Sequence, residues 1–282
     1  MIRYFASFLL VGLYLLMANC STNPQSALFS ATQKTLKEAK ERDFKRVAYP
    51  TQTFILTALE HLPPKPAQQI HVYIEGDGHS WIRKTRLSSN PTPRQPLALT
   101  LALEDPHPHV VYLARPCQYT PLEQDKNCSP KYWSSHRYSP EVIQSTNDVL
   151  NKIKSKTHSA KFVLIGFSGG ASIAALVASQ RTDIAALITV AGDLNHEALN
   201  AYHGTTPLPA SLNPTAVTHL LKKLPQQHWS GGKDKIVPSW VSQAFADKIN
   251  SPLQVKLFVL KDASHHKGWK EKWADIAKTF SS

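Results

Sequence analysis

Phe162-Val163-Leu164-Ile165-Gly166-Phe167-Ser168-Gly169-Gly170-Ala171-Ser172-Ile173-Ala174-Ala175-Leu176-Val177-Ala178 is the stretch on which the reading of this chain turns. Residues 162–165 are an apolar run with the composition of a buried strand, and residues 171–178 are helix-forming. Between them stands Gly-x-Ser-x-Gly. On so sharp a strand-to-helix turn the serine is strained and its Oγ stands at the tip, while small neighbours let strand and helix approach closely. The helix points its N-terminus at the same spot, so the Gly169 N–H can face a developing oxyanion. The competing reading of these five residues is a Gly-rich turn with a surface serine.

Working outward, apolar runs alternate with helical segments. Residues 44–48 and 53–59 flank a turn and suggest an antiparallel strand pair. Strands are expected at 70–74, 110–113, 186–190, 226–229 and 253–260. Helices are expected at 31–43, 97–103, 141–154, 240–249 and 269–280. Ser139-Pro140-Glu141 is a helix start signal. Residues 21–30 read as a polar tether, 117–137 as irregular, and 195–216 as an insertion carrying Pro207, Pro209 and Pro214. The alternation argues an α/β fold of one domain, a mostly parallel sheet with helices on both faces. The length of 282 residues and 42% hydrophobic content suit one such domain.

The N-terminus is different in kind. Arg3 precedes a nearly unbroken apolar run from Tyr4 to Ala18, short for a bilayer span of about 20 residues and suited to a signal peptide over residues 1–19. Cys20 directly after it resembles a bacterial lipoprotein signal, in which that cysteine is lipidated. Asn19 departs from the small residue usual there. Plain secretion and an uncleaved anchor are the alternatives. On this reading residues 20–43 are tether and N-terminal helix, and 44–282 the folded domain. Setting Cys20 aside leaves Cys117 and Cys128, an even pair that an oxidising compartment would close into a disulfide; two buried thiols are the alternative. The formal charge of +12 suits anionic lipid or acidic polymer, or simply solvated helix faces. No helix-turn-helix, zinc-finger or aromatic RNA-binding pattern is present, so no nucleic-acid partner is expected.

A serine nucleophile needs a base, and the base an orienting carboxylate. Ser168, Asp234 and His265 follow in that order, each just past the end of an expected strand, where open parallel sheets carry their chemistry. Asp193 is a second candidate acid and His266 a second candidate base. Gly76-Asp77-Gly78 is the Gly-rich turn after an early strand, placed to supply a second oxyanion donor through the Asp77 N–H, with Gly78 in reserve. An Asp carboxylate there would repel an oxyanion unless paired or turned away. His107-Pro108-His109 lacks the partners of a metal site and reads as a turn. His196 falls in the insertion. Tyr132, Trp133 and Tyr138 could line a substrate mouth or simply pack.

These motifs together resemble the α/β-hydrolases, and more narrowly a group of Gram-negative lipoprotein-type hydrolases. The likeness rests on Tyr73-Ile74-Glu75-Gly76-Asp77-Gly78, Arg115-Pro116-Cys117-Gln118-Tyr119, the Ser168 turn, and Gly232-Lys233-Asp234-Lys235-Ile236-Val237-Pro238, and covers roughly residues 51–280. The same group places its histidine four residues before a tryptophan, here Trp269, which selects His265. The resemblance implies a hydrolase that needs neither metal nor organic cofactor. The expected function is cleavage of an ester, thioester or amide in a small acyl substrate, in an outer-membrane lipoprotein facing the periplasm or cell surface. A non-catalytic binding lipoprotein and an acyltransferase are the alternatives; oligomeric state is open.

Overall fold

The computed structural model describes residues 24–83, 85–158 and 161–281. The expectations for residues 1–19 and Cys20 lie outside them. Eight strands form the sheet: β1 (Lys45–Pro50), β2 (Ile55–His61), β3 (Gln69–Ile74), β6 (Val110–Leu113), β7 (Lys161–Phe167), β8 (Ile184–Val190), β9 (Gln226–Gly231) and β10 (Val255–Leu260). A separate two-stranded ribbon, β4 (Trp81–Arg83) with β5 (Arg86–Leu87), leaves the loop after β3. The helices are α1 (Pro24–Glu41), α2 (Leu97–Glu104), α3 (Pro140–Thr157), α4 (Gly169–Ala178), α5 (His196–His203), α6 (Trp240–Ile249) and α7 (Lys270–Lys278).

The sheet order is β1-β2-β6-β3-β7-β8-β9-β10. Pairing is antiparallel on both sides of β2 and parallel from β6 to β10. After β3 the chain steps one way to β6, then back over β3 to β7. The order therefore reverses between β3 and β7, and a crevice opens at their C-terminal ends, the place where such sheets bind ligands.

Strand side chains alternate between two cores, as the two-residue period requires. Phe162 and Leu164 of β7 pack with Val142, Ile173 and Phe245 on the face covered by α3, α4 and α6. Val163, Ile165 and Phe167 face the other way, among Leu99, Trp273 and Ala39 from α2, α7 and α1. Burial on both faces explains the unbroken apolar runs.

The expected α/β fold with a mostly parallel, doubly covered sheet is what the chain adopts. Two local expectations need correction, and one element is new. Residues 24–30, read as tether, belong to α1, which opens on Pro24; proline is well tolerated in a first helical turn, where its missing N–H costs nothing. The 195–216 insertion contains α5, whose start is capped by the Asn195 side chain accepting the Ala198 N–H at 3.2 Å and whose end is the left-handed Gly204. Pro207, Pro209 and Pro214 all lie past the end of this helix. The β4–β5 ribbon has too few residues for a periodic signal.

Candidate active site

Ser168 follows β7 and precedes the first residue of α4. Its backbone is left-handed, φ 52° and ψ −121°, a conformation costing about 1–3 kcal/mol for a residue with a Cβ. Its N–H donates to Val190 O and its carbonyl accepts from Asp193 N, both at 3.0 Å. The neighbouring glycines are required by contact. A Cβ on Gly170 would run into the carbonyl oxygens of Ile74 and Glu75, and one on Gly166 into Ala171 and Gly170 of α4.

His265 lies in the loop between β10 and α7, with its Nε2 3.0 Å from Ser168 Oγ. Its Nδ1 is 2.8 Å from Asp234 Oδ2. A carboxylate only accepts, so Nδ1 carries the proton and Nε2 is left to accept from the serine hydroxyl. The other oxygen, Asp234 Oδ1, takes the amides of Ile236 at 2.8 Å and Val237 at 2.9 Å. Burial would raise this carboxyl, but the His265 hydrogen bond and charge, with those amides, hold it below its ordinary value. His266 also lines the cleft but makes no hydrogen bond to Ser168 or Asp234; its ring is 4.8 Å from that of His265 and steeply inclined to it. Burial first, then the neighbouring His265, press its pKa down to about 4, so it is neutral at pH 7.

Asp193 does not meet the histidine pair in any hydrogen bond; its Oδ2 accepts from the Tyr138 hydroxyl at 2.9 Å. Burial raises its carboxyl to about 6. Asp77, in the loop after β3, is paired from two sides. Arg115 Nη1 donates to Oδ1 and Arg137 Nη1 to Oδ2. Burial would raise Asp77, but Arg137 and Arg115 outweigh it and hold it ionised. The carboxylate is thus neutralised from two sides, its Oδ1 standing where a Cβ on Gly169 would go, while the Asp77 amide donates to no acceptor among the described residues. Gly169 opens α4, where an amide has no intrahelical acceptor. Gly78 is left-handed, φ 68°, and packs against Pro91 O.

Two buried side chains, Gln118 and Glu75, support the site from the motifs around Arg115 and Asp77. Gln118 donates to Gly76 O at 3.0 Å and accepts the Arg115 amide at 3.2 Å, pinning the Asp77 loop to the Arg115 turn. That turn carries Cys117, whose disulfide to Cys128 closes the first part of the 117–137 excursion and is worth about 3 kcal/mol in the chain-entropy account. Glu75, 1% exposed, accepts the Gly76 amide at 2.9 Å and the Tyr112 hydroxyl at 3.1 Å. The amides of Ala98 and Leu99, in the uncapped first turn of α2, also lie against it. It serves as a cap supplied from another element. Burial nevertheless raises it to about 7.

Ser168, His265 and Asp77 line one cleft of about 430 Å³. Tyr132, Trp133 and Tyr138 are buried; Trp133 Nε1 donates to Ser88 O at 3.0 Å, so the three read as packing. His196 packs its ring against Tyr138. His107 and His109 bond to the carbonyls of His109 and Lys65. Among the described residues no group of three or more His, Cys, Asp or Glu is arranged to hold a metal ion.

Comparison with known proteins bears on the fold. No family model matches the chain, and no curated protein matches its sequence. Solved structures match its fold. An esterase from Pyrococcus furiosus superposes with TM-score 0.60 at 16% identity, over 86% of this chain and 91% of that one. An α/β serine hydrolase homologue from Coxiella burnetii gives 0.56 at 18%, over 84% and 95%. A lidless α/β serine hydrolase from Xanthomonas campestris gives 0.56 at 14%, over 84% and 92%. The chain has the fold of the α/β-hydrolases.

Proposed function

We propose that the protein is a serine hydrolase that cleaves an ester, or a thioester or amide, through an acyl-enzyme on Ser168. The observation that carries this reading is the unbroken line from Asp234 through His265 to Ser168 Oγ, set on a strained turn beside the topological crevice. Oγ attacks the substrate carbonyl as His265 Nε2 takes its proton; Asp234 steadies the resulting imidazolium. The tetrahedral oxyanion is met by the Gly169 and Asp77 amides. Collapse breaks the bond to the leaving group, to which His265 returns the proton. Water, deprotonated by His265, then attacks the acyl-enzyme, and the second collapse frees the acid and restores the Ser168 hydroxyl. Ester substrates are preferred on the habits of the superfamily.

A binding lipoprotein has no need of all three groups, and an acyltransferase differs only in the final acceptor. A fluorophosphonate probe separates the first of these from an enzyme. Wild type should be labelled and Ser168→Ala should not, with its fold intact by circular dichroism; equal labelling of both would overturn the assignment.

The lipoprotein-type likeness, the apolar run before Cys20 and the disulfide support export with a lipid on Cys20, Ser21 following without the Asp that would retain it at the inner membrane. The mature N-terminus should carry a diacylglyceryl cysteine by mass spectrometry. An unmodified N-terminus beyond residue 20 would refute it.

A further inference from the structure

The Ser168 cleft does not end at the histidines. A second cavity of about 420 Å³ lies beside it, and the two share Gln95 and His266 as walls. The far cavity runs between Ala31 and Thr35 of α1, Leu97 and Thr100 of α2, and Gly268-Trp269 before α7. Each cavity alone is of the size that takes a small organic ligand; joined, they make a trough leading away from the nucleophile.

Its walls are held in place. The Thr32 hydroxyl donates to Pro93 O at 2.8 Å, in the segment whose Pro93, Arg94 and Gln95 line the Ser168 cleft. Arg42 bridges Glu38 at 2.8 Å and Glu104 at 3.4 Å, and Lys270 reaches Glu38 at 3.7 Å and Glu104 at 3.3 Å, so α1 is fastened to both α2 and α7. Ala39 is fully buried in that contact. The exposed wall of the far cavity is mainly carbon, with Lys267, Lys270 and Glu271 also on its lining, and the His266 ring at the passage is uncharged at neutral pH. Lys270 at the rim is already neutralised by Glu104 and Glu38.

Building on the hydrolase reading, we infer that the trough holds an unbranched hydrocarbon chain of the substrate, which passes from Ser168 between Gln95 and His266 into the far cavity, with α1 as its outer wall. The segment read from sequence as tether and N-terminal helix is then part of the substrate site. A wall that is mainly carbon favours an uncharged chain, and each buried methylene is worth roughly fourfold in affinity.

The test is to plug the far cavity from two independent elements, with Thr35→Trp on α1 and Thr100→Trp on α2. The kcat/KM ratio of dodecanoyl over butanoyl esters of one alcohol is measured, and likewise of dodecyl over butyl esters of one acid. The two series tell whether the acyl or the alcohol half carries the chain. In whichever series wild type favours the long member, each plug should lower the ratio at least tenfold while phosphonate labelling of Ser168 persists. No preference for a long member in either series, or a ratio unchanged by both plugs in folded, labelled protein, overturns the trough alone. Absence of Ser168-dependent labelling in wild type overturns the hydrolase reading, and this inference with it.

Discussion

Two histidine–aspartate pairs lie at opposite ends of the same sheet. His265 and Asp234 stand beyond the C-terminal ends of β10 and β9, with Nδ1–Oδ2 2.8 Å and side chains 7% and 0% exposed. His71, near the start of β3, pairs with Asp105 after α2 at 2.7 Å, with side chains 1% and 0% exposed. The hydrogen bond is the same. What the free nitrogen meets is not. His265 Nε2 faces Ser168 Oγ in an open cleft, whereas His71 Nε2 has no hydrogen-bond partner among the described residues and its ring is stacked on His107 at 4.0 Å. Asp105 also takes the Tyr73 hydroxyl at 2.6 Å, and Tyr73 in turn accepts from Trp273 Nε1 at 2.9 Å. On the proposed function one pair orients a base toward a nucleophile; the other joins β3 to α7 through the core. Pairing alone does not make a catalytic histidine; access and a third group do.

Matched substitutions would break this contrast most directly. Asp234→Asn should lower kcat about 10³–10⁴-fold, because the amide no longer selects the right tautomer, with little change in the melting transition. Asp105→Asn should do the reverse, leaving kcat within a few-fold and lowering stability by about 3 kcal/mol as buried donors lose their acceptor. Urea unfolding alongside ester kinetics measures both. Equal kinetic losses in the two variants would erase the distinction.

A smaller effect sharpens the contrast along β3, which leads from His71 at one end to Glu75 just past the other. Burial raises Glu75 from 4.5 to about 7, so the fold holds its proton more tightly than the unfolded chain does. The stability this contributes is complete below pH 4.5 and is lost as pH rises through 7. Between pH 4 and 8 the wild type should therefore lose on the order of 3 kcal/mol relative to Glu75→Gln. Parallel pH–stability curves for the two proteins would show that Glu75 titrates normally.

The smallest effect concerns the third ring. His266→Ala should raise KM and lower kcat less than tenfold on a short ester, against a loss of 10³-fold or more for His265→Ala. Steady-state kinetics of the two variants decide it; the opposite ranking would move the base by one residue.

Much of this was legible from local order alone. A strand needs only its apolar run, the Ser168 turn only its small neighbours, and the chain order Ser168, Asp234, His265 only the ends of three strands. α1 was half legible, because its first turn is written in residues that also suit a tether. α5 was missed although Asn195 and Gly204 mark its two ends. The Asp77 amide was chosen by position, but nothing in the turn said which cations would hold its carboxylate.

The sequence by itself determined the alternation of strand and helix, the sharp turn at Ser168, and the small set of acids and histidines that could serve it. These follow from periodicity and turn chemistry, which act over a few residues. Only the tertiary structure decided that Asp234 and not Asp193 bonds the histidine, that His265 rather than His266 faces Ser168, that Arg115 and Arg137 converge on Asp77, and that Glu75 caps α2. Each of these joins residues tens of positions apart or chooses between neighbours by direction. Direction and long-range proximity are settled when the sheet order reverses between β3 and β7 and the helices close over both faces, where buried polar groups must find partners or remain costly.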